Sequence, residues 1–220
     1  MVKNMVTETP ALSNLRAMLD DVDSLLAHHP EADGPVQATG TDTTGDPLLR
    51  SCVSLVYTAW EVYVEESLIW AVGMLVERGD PSKLPDRLRA WVSEKMLGET
   101  PDAWQLAGDG WRAVTMELVT DHLRGDGSAR YGLNTASPEK VMELHKNLLG
   151  KQPLNNISWQ GRPNKSVKKE LALLVSVRGE IVHKGATPGT LNLIGTQDWR
   201  DFMLRTCERL DRQIVETVEP

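Results

Sequence analysis

Apolar residues recur at steps of three and four along most of the chain, whereas period-two alternation persists nowhere. The pattern predicts an all-α protein, a bundle of about six or seven helices with loop insertions, in one domain over residues 1–220. Leu12, Leu15, Leu19, Val22, Leu25 and Leu26 form one stripe, so the first helix covers about residues 11–28, and Pro30 stops it. Residues 30–45 are polar and rich in Gly and Thr and read as a loop. Asp46-Pro47 then supplies a cap and a first-turn proline, and the second helix runs to about residue 78, before Gly79 and Pro81. It is the most apolar segment and the expected centre of the core.

Four more helices follow, with a short one between the middle pair. They cover about residues 83–96, 103–123, 137–150 and 166–184, and the last begins near Thr196 as its cap. In the 103–123 helix Trp111, Val114, Leu118 and Val119 are expected inward. In the last helix Trp199, Phe202, Met203, Cys207, Leu210 and Ile214 are. A loop containing Trp159 precedes the 166–184 helix.

Composition narrows the function classes. Hydrophobic residues at 40% and charged residues at 25% are ordinary for a soluble globular protein. The apolar run from Leu55 to Val76 carries Glu61, Glu65 and Glu66, which marks a buried core helix and not a membrane span. With no apolar leader core in the first ten residues, a cytoplasmic location and no membrane partner are expected. Cys52 and Cys207 lie in apolar helices without nearby Cys or His, so both read as buried reduced thiols, and no metal or cofactor is expected. His28 and His29 read as a solvated helix end; His122 and His145 are assigned no site. Seven Trp against one Phe suggest large core or interface fillers. The net charge of −7 argues against a generally nucleic-acid-binding surface, but the charge is uneven. Between Arg162 and Lys184 six basic residues face two acidic ones, +4, which leaves −11 for the rest.

That basic stretch contains the chemistry. In LALLVSVRGEIVHKG, Leu171, Leu174, Val175, Ile181 and Val182 form an apolar stripe, and Arg178 falls on its axis. A guanidinium keeps its charge at neutral pH, so on an apolar face it needs an anionic partner or ligand. Glu61 likewise interrupts an apolar face and needs a partner, with Arg178 or Arg50 the candidates for a structural ion pair. His183 lies about 140° further round the helix, and Gly179 falls between in angle, leaving the surface between Arg178 and His183 open. A mid-helix glycine costs about 1 kcal/mol against alanine, which suggests that the space is wanted.

RGEIVHKG resembles the Arg-x4–6-His signature that HEPN domains carry at the end of a late core helix. LVYTAWEVYVEESL, with Trp60, Glu61, Tyr63, Glu65 and Glu66, resembles the early core helix of the RiboL-PSP-HEPN and related bacterial groups. SPEKVMELHKNLLG and the Trp159 region resemble the Ser-Pro helix and loop before the motif helix. Many members have Asn, Asp or His directly after the arginine, where this chain has Gly179, with Glu180 next.

The resemblance implies a HEPN-like bundle and a metal-independent endoribonuclease acting by 2′-hydroxyl attack, as a toxin or phage-defence effector. It implies a homodimer with a composite active site, RNA as substrate, and an antitoxin or other regulatory protein as partner. Arg178 and His183 would be catalytic, with Gly179, Glu180, Glu61 and Lys184 supporting. Arg162, Lys165, Lys168 and Lys169 would hold flanking RNA phosphates. Two alternatives stand beside this: a non-catalytic HEPN module binding RNA, a nucleotide or a partner protein, and a plain helical dimerisation protein in which Glu61 merely neutralises Arg178.

Overall fold

The computed structural model describes residues 7–32, 34, 46–98, 107–125, 132–133, 135–185 and 191–219. Among these residues the chain forms seven α-helices and no strand: α1 (Pro10–Leu26), α2 (Asp46–Glu77), α3 (Asp86–Gly98), α4 (Gly110–Arg124), α5 (Pro138–Leu149), α6 (Asn164–Lys184) and α7 (Leu193–Val218). Most of the polar stretch before α2 lies outside the described residues.

α2 is the axis of the molecule. It packs against α1, α4, α5, α6 and α7. Buried positions from Cys52 to Val76 wrap well over half of its circumference, as its high and unsegregated apolarity anticipates. Cys52 and Cys207 are buried free thiols, as expected. No described helix is long and apolar enough to cross a membrane.

Several helix ends follow the local signals. Thr9 caps α1 by accepting from Leu12 N–H at 3.2 Å, with Pro10 in the first turn. Ser137 caps α5 and Gly150 leaves it in the left-handed region. Other ends differ from expectation. α3 starts at Asp86 because Pro81–Lys83 form a separate 3-10 turn capped by Asp80. α4 starts at Gly110, after a turn in which Gly108 takes φ +59°. Its buried residues are Thr115, Val119 and Leu123, so Trp111, Val114 and Leu118 lie at the flank of the contact. α7 is capped by Asn192, not Thr196: Asn192 Oδ1 accepts from Gly195 N–H at 2.8 Å, and the buried Thr196 donates back to Asn192 O at 2.9 Å. Trp199 is half-buried, while the other five residues expected inward on α7 are buried. His29 is buried rather than solvated, accepting from Glu31 N–H at 3.2 Å.

The first and last helices are joined by a buried carboxylate. Asp211 of α7, 1% exposed, accepts from Thr9 N–H at 2.9 Å, Thr9 Oγ1 at 2.5 Å and Tyr63 Oη at 3.2 Å. Three donors satisfy a charge that burial would otherwise penalise.

Candidate active site

α6 lies along α2 with Val167, Leu171, Leu174 and Val177 buried. Arg178 falls within this inner arc, as its angle predicts, and meets an aromatic ring: its Cζ stands 5.1 Å from the centroid of Tyr57 on α2. Guanidinium and ring quadrupole attract, which explains how an obligate cation is accommodated at the helix–helix contact. Among the described residues no ion pair engages Arg178.

Tyr57 is itself held. Its hydroxyl donates to Glu61 Oε1 at 2.8 Å and accepts from Ala136 N–H at 3.1 Å, while Trp60 Nε1–H donates to Ala136 O at 2.8 Å. One residue before α5, through its N–H and its carbonyl, thus pins two aromatic side chains of α2. The expected ion pair of Glu61 with Arg178 or Arg50 is corrected here, since the partner of Glu61 is the Tyr57 hydroxyl one helical turn earlier. Arg50 instead donates to Gly185 O at 2.7 Å, at the C-terminal end of α6. Arg50, Tyr57 and Glu61 are spaced by seven and four, so one face of α2 supports the end of α6.

Burial pushes the Glu61 carboxyl above its ordinary range, against the opposing pull of the Tyr57 hydroxyl and the Arg178 charge. Burial, and then the neighbouring Glu61 carboxylate, raises the Tyr57 phenol. Glu65, the next position on this face, is pushed up to about 7 by burial and by Glu61, with Arg124 opposing.

His183 is exposed, five residues beyond Arg178. Gly179 lies between them, and a Cβ built there would meet nothing within 4 Å, so the gap inferred from the sequence is present in the folded chain. Glu180 is half-buried and Lys184 exposed. Val182, expected inward, is 51% exposed because the last turn of α6 outruns the core. Leu173 is similarly exposed at 48%.

The basic residues separate. Arg162 is turned to α7, 5.1 Å over the Phe202 ring and 3.2 Å from Glu170 Oε2, so its charge is already engaged. Lys168 donates to Asn155 Oδ1 at 3.2 Å. Lys165 and Lys169 are exposed and share the outward side of α6 with His183, about 27 and 21 Å along the axis. Trp159 lies beside α7, with Arg205 and Arg209 each 5.8 Å from its ring. His122 tilts against Trp91 at 5.3 Å, and His145 is buried in α5. No group of metal-binding side chains occurs among the described residues.

The residue that sequence reasoning missed is Tyr57. Its one signal was its place four residues before Glu61, within a segment singled out for its neighbours.

A family model described as RiboL-PSP-HEPN matches residues 17–216. No curated protein and no solved structure matches the chain.

Proposed function

Because the chain belongs to the RiboL-PSP-HEPN family, we propose that it is a metal-independent endoribonuclease with Arg178 and His183 as its catalytic residues. The observation that carries this reading is an arginine held on an aromatic ring and in no ion pair among the described residues, beside an open glycine and an exposed histidine on the same helix end. His183 accepts the proton of a ribose 2′-hydroxyl, whose oxygen then bonds to the adjacent phosphorus. The P–O5′ bond breaks, and the departing oxygen takes a proton from imidazolium. Arg178 binds the phosphate and offsets the charge that grows on its oxygens. The products carry 2′,3′-cyclic phosphate and 5′-hydroxyl ends, and DNA, lacking the nucleophile, is not cut.

One chain supplies one Arg–His pair. The reading therefore includes a twofold homodimer in which the α6 ends of two copies meet and form a composite site. Exposed Val182, about 60° round the helix from the open Gly179 face, is the apolar surface that such a contact would cover. Lys165 and Lys169 remain for flanking phosphates; Gly179, Glu180, Glu61 and Lys184 support the site. The enzyme acts in the cytoplasm as a toxin or defence effector restrained by an antitoxin or other regulatory protein.

A second reading, a non-catalytic HEPN module, is favoured by one observation: His183 is exposed, and no hydrogen bond within the described residues fixes its ring. Purified protein incubated with RNA in EDTA separates the two. Cleavage with cyclic phosphate ends supports the enzyme; full dependence on added magnesium or manganese, or binding without cleavage, removes it.

A further inference from the structure

We propose that Tyr57 is a positioning residue for Arg178: its ring is the platform that orients the guanidinium toward a phosphate, and the Glu61 carboxylate and Ala136 N–H fix that platform. The inference rests on the ribonuclease reading for its purpose and on the α2–α6 contact for its geometry. A guanidinium has five N–H donors and no acceptor. Had Glu61 paired directly with Arg178, the fork that grips a phosphate would already be filled. The contact with the ring, at 5.1 Å, holds the cation without consuming a donor. The carboxylate is instead satisfied by the Tyr57 hydroxyl at 2.8 Å, on the far side of the ring from its bond to α2. Tyr57 is only 2% exposed, and its hydroxyl also accepts from Ala136 N–H at 3.1 Å, so the platform cannot swing. Among the described residues Arg178 is thus fixed with its donors unspent, which a long flexible side chain on an open surface would not be.

The test uses Tyr57→Phe, Tyr57→Leu, Arg178→Ala and the Tyr57→Leu/Arg178→Ala double variant, each assayed at a temperature where circular dichroism shows it folded. kcat/KM is measured on single-stranded RNA and Kd on the same RNA with 2′-O-methyl groups, which cannot be cut. Tyr57→Phe keeps the ring but frees it from Glu61 and Ala136, so it should fall between the parent and Tyr57→Leu in both, with a lower Tm. Tyr57→Leu should lose on the order of tenfold in both. In the Arg178→Ala background, Tyr57→Leu should leave Kd unchanged. The same loss with and without Arg178 would show a merely structural role and overturn the proposal, as would parental kcat/KM and Kd in folded Tyr57→Leu. A third readout needs no RNA. The Arg178 Nε–H proton, shifted upfield by the ring in the parent and in Tyr57→Phe, should return to its ordinary position in Tyr57→Leu. An unmoved resonance overturns the platform by itself. A parent that fails to cut RNA while its Arg178 resonance does move with Tyr57 ends the ribonuclease reading and leaves the platform standing.

Discussion

At Gly179 an added methyl group would meet no atom within 4 Å. Gly179→Ala should therefore stabilise α6 by about 1 kcal/mol, seen as a Tm higher by roughly 2–4 °C. If the gap is where RNA or a second copy approaches, the same protein should cleave less. A variant both more stable and fully active would remove any role for the gap. His183→Ala, at an exposed position, should retain fold and RNA affinity while losing about 10²–10⁴-fold in rate. Parental cleavage by that protein would sink the proposed mechanism outright. Helical spacing alone placed Arg178 on the inner arc and left the gap at Gly179. It could not name the Glu61 partner, because a Tyr57 hydroxyl and an arginine fork are equally able to satisfy a carboxylate. The choice depends on where α5 delivers the Ala136 peptide, more than seventy residues away in the chain.

The helices themselves follow their caps where a single strong signal stands at the start. Ser137-Pro138 opens α5, with Ser137 Oγ accepting from Lys140 N–H at 3.3 Å. Ser137→Ala should cost about 1 kcal/mol and Ser137→Gly only a few tenths, measured by urea denaturation; equal losses would argue against the cap. Where two signals compete, sequence reading fails by a turn. Asn192 and Thr196 can both cap α7, and the chain uses the earlier because Leu193 and Thr196 are both buried, which requires helix before Thr196. The exposed end of α6 carries a similar lesson. Val182 continues an apolar stripe in the sequence, but α2 no longer covers that side of the last turn. Val182→Asp should accordingly leave the folded protein intact and shift a homodimer toward monomer, with loss of cleavage. Light scattering at micromolar concentration checks this, and a monomeric parent would count heavily against the composite site.

For the molecule as a whole, one buried and one half-buried titratable group set opposite limits on stability. Burial lowers the His145 pKa to about 4, partly opposed by the Val141 carbonyl, so the folded chain holds the imidazole neutral. Its unfolded value is near 6.5, so stability is full above that and falls as pH drops toward 4, by roughly 3 kcal/mol. His145→Gln should flatten this acid limb in Tm measured against pH. The Glu65 carboxyl, raised to about 7 by burial and by Glu61, acts in the other direction. The folded state holds its proton more tightly, so stability is lost as pH rises from the ordinary carboxylate range through 7. Glu65→Gln should remove that alkaline loss. The helical class and the central place of α2 were readable from periodicity, because a bundle core is a sum of local stripes. These titrating groups were not, since the degree of burial belongs to the assembled helices.

The junction of Thr9 with Asp211 spans 202 residues of chain. Contacts across so much chain close late, because the entropy of loop closure is met before the contact forms. During synthesis α1 and α2 leave the ribosome long before α7, and until α7 arrives the Tyr63 hydroxyl and the Thr9 cap lack their carboxylate. A nascent chain that already carries Arg178 and His183 still has an open core. Any activity that needs the assembled core would therefore wait until α7 has been made.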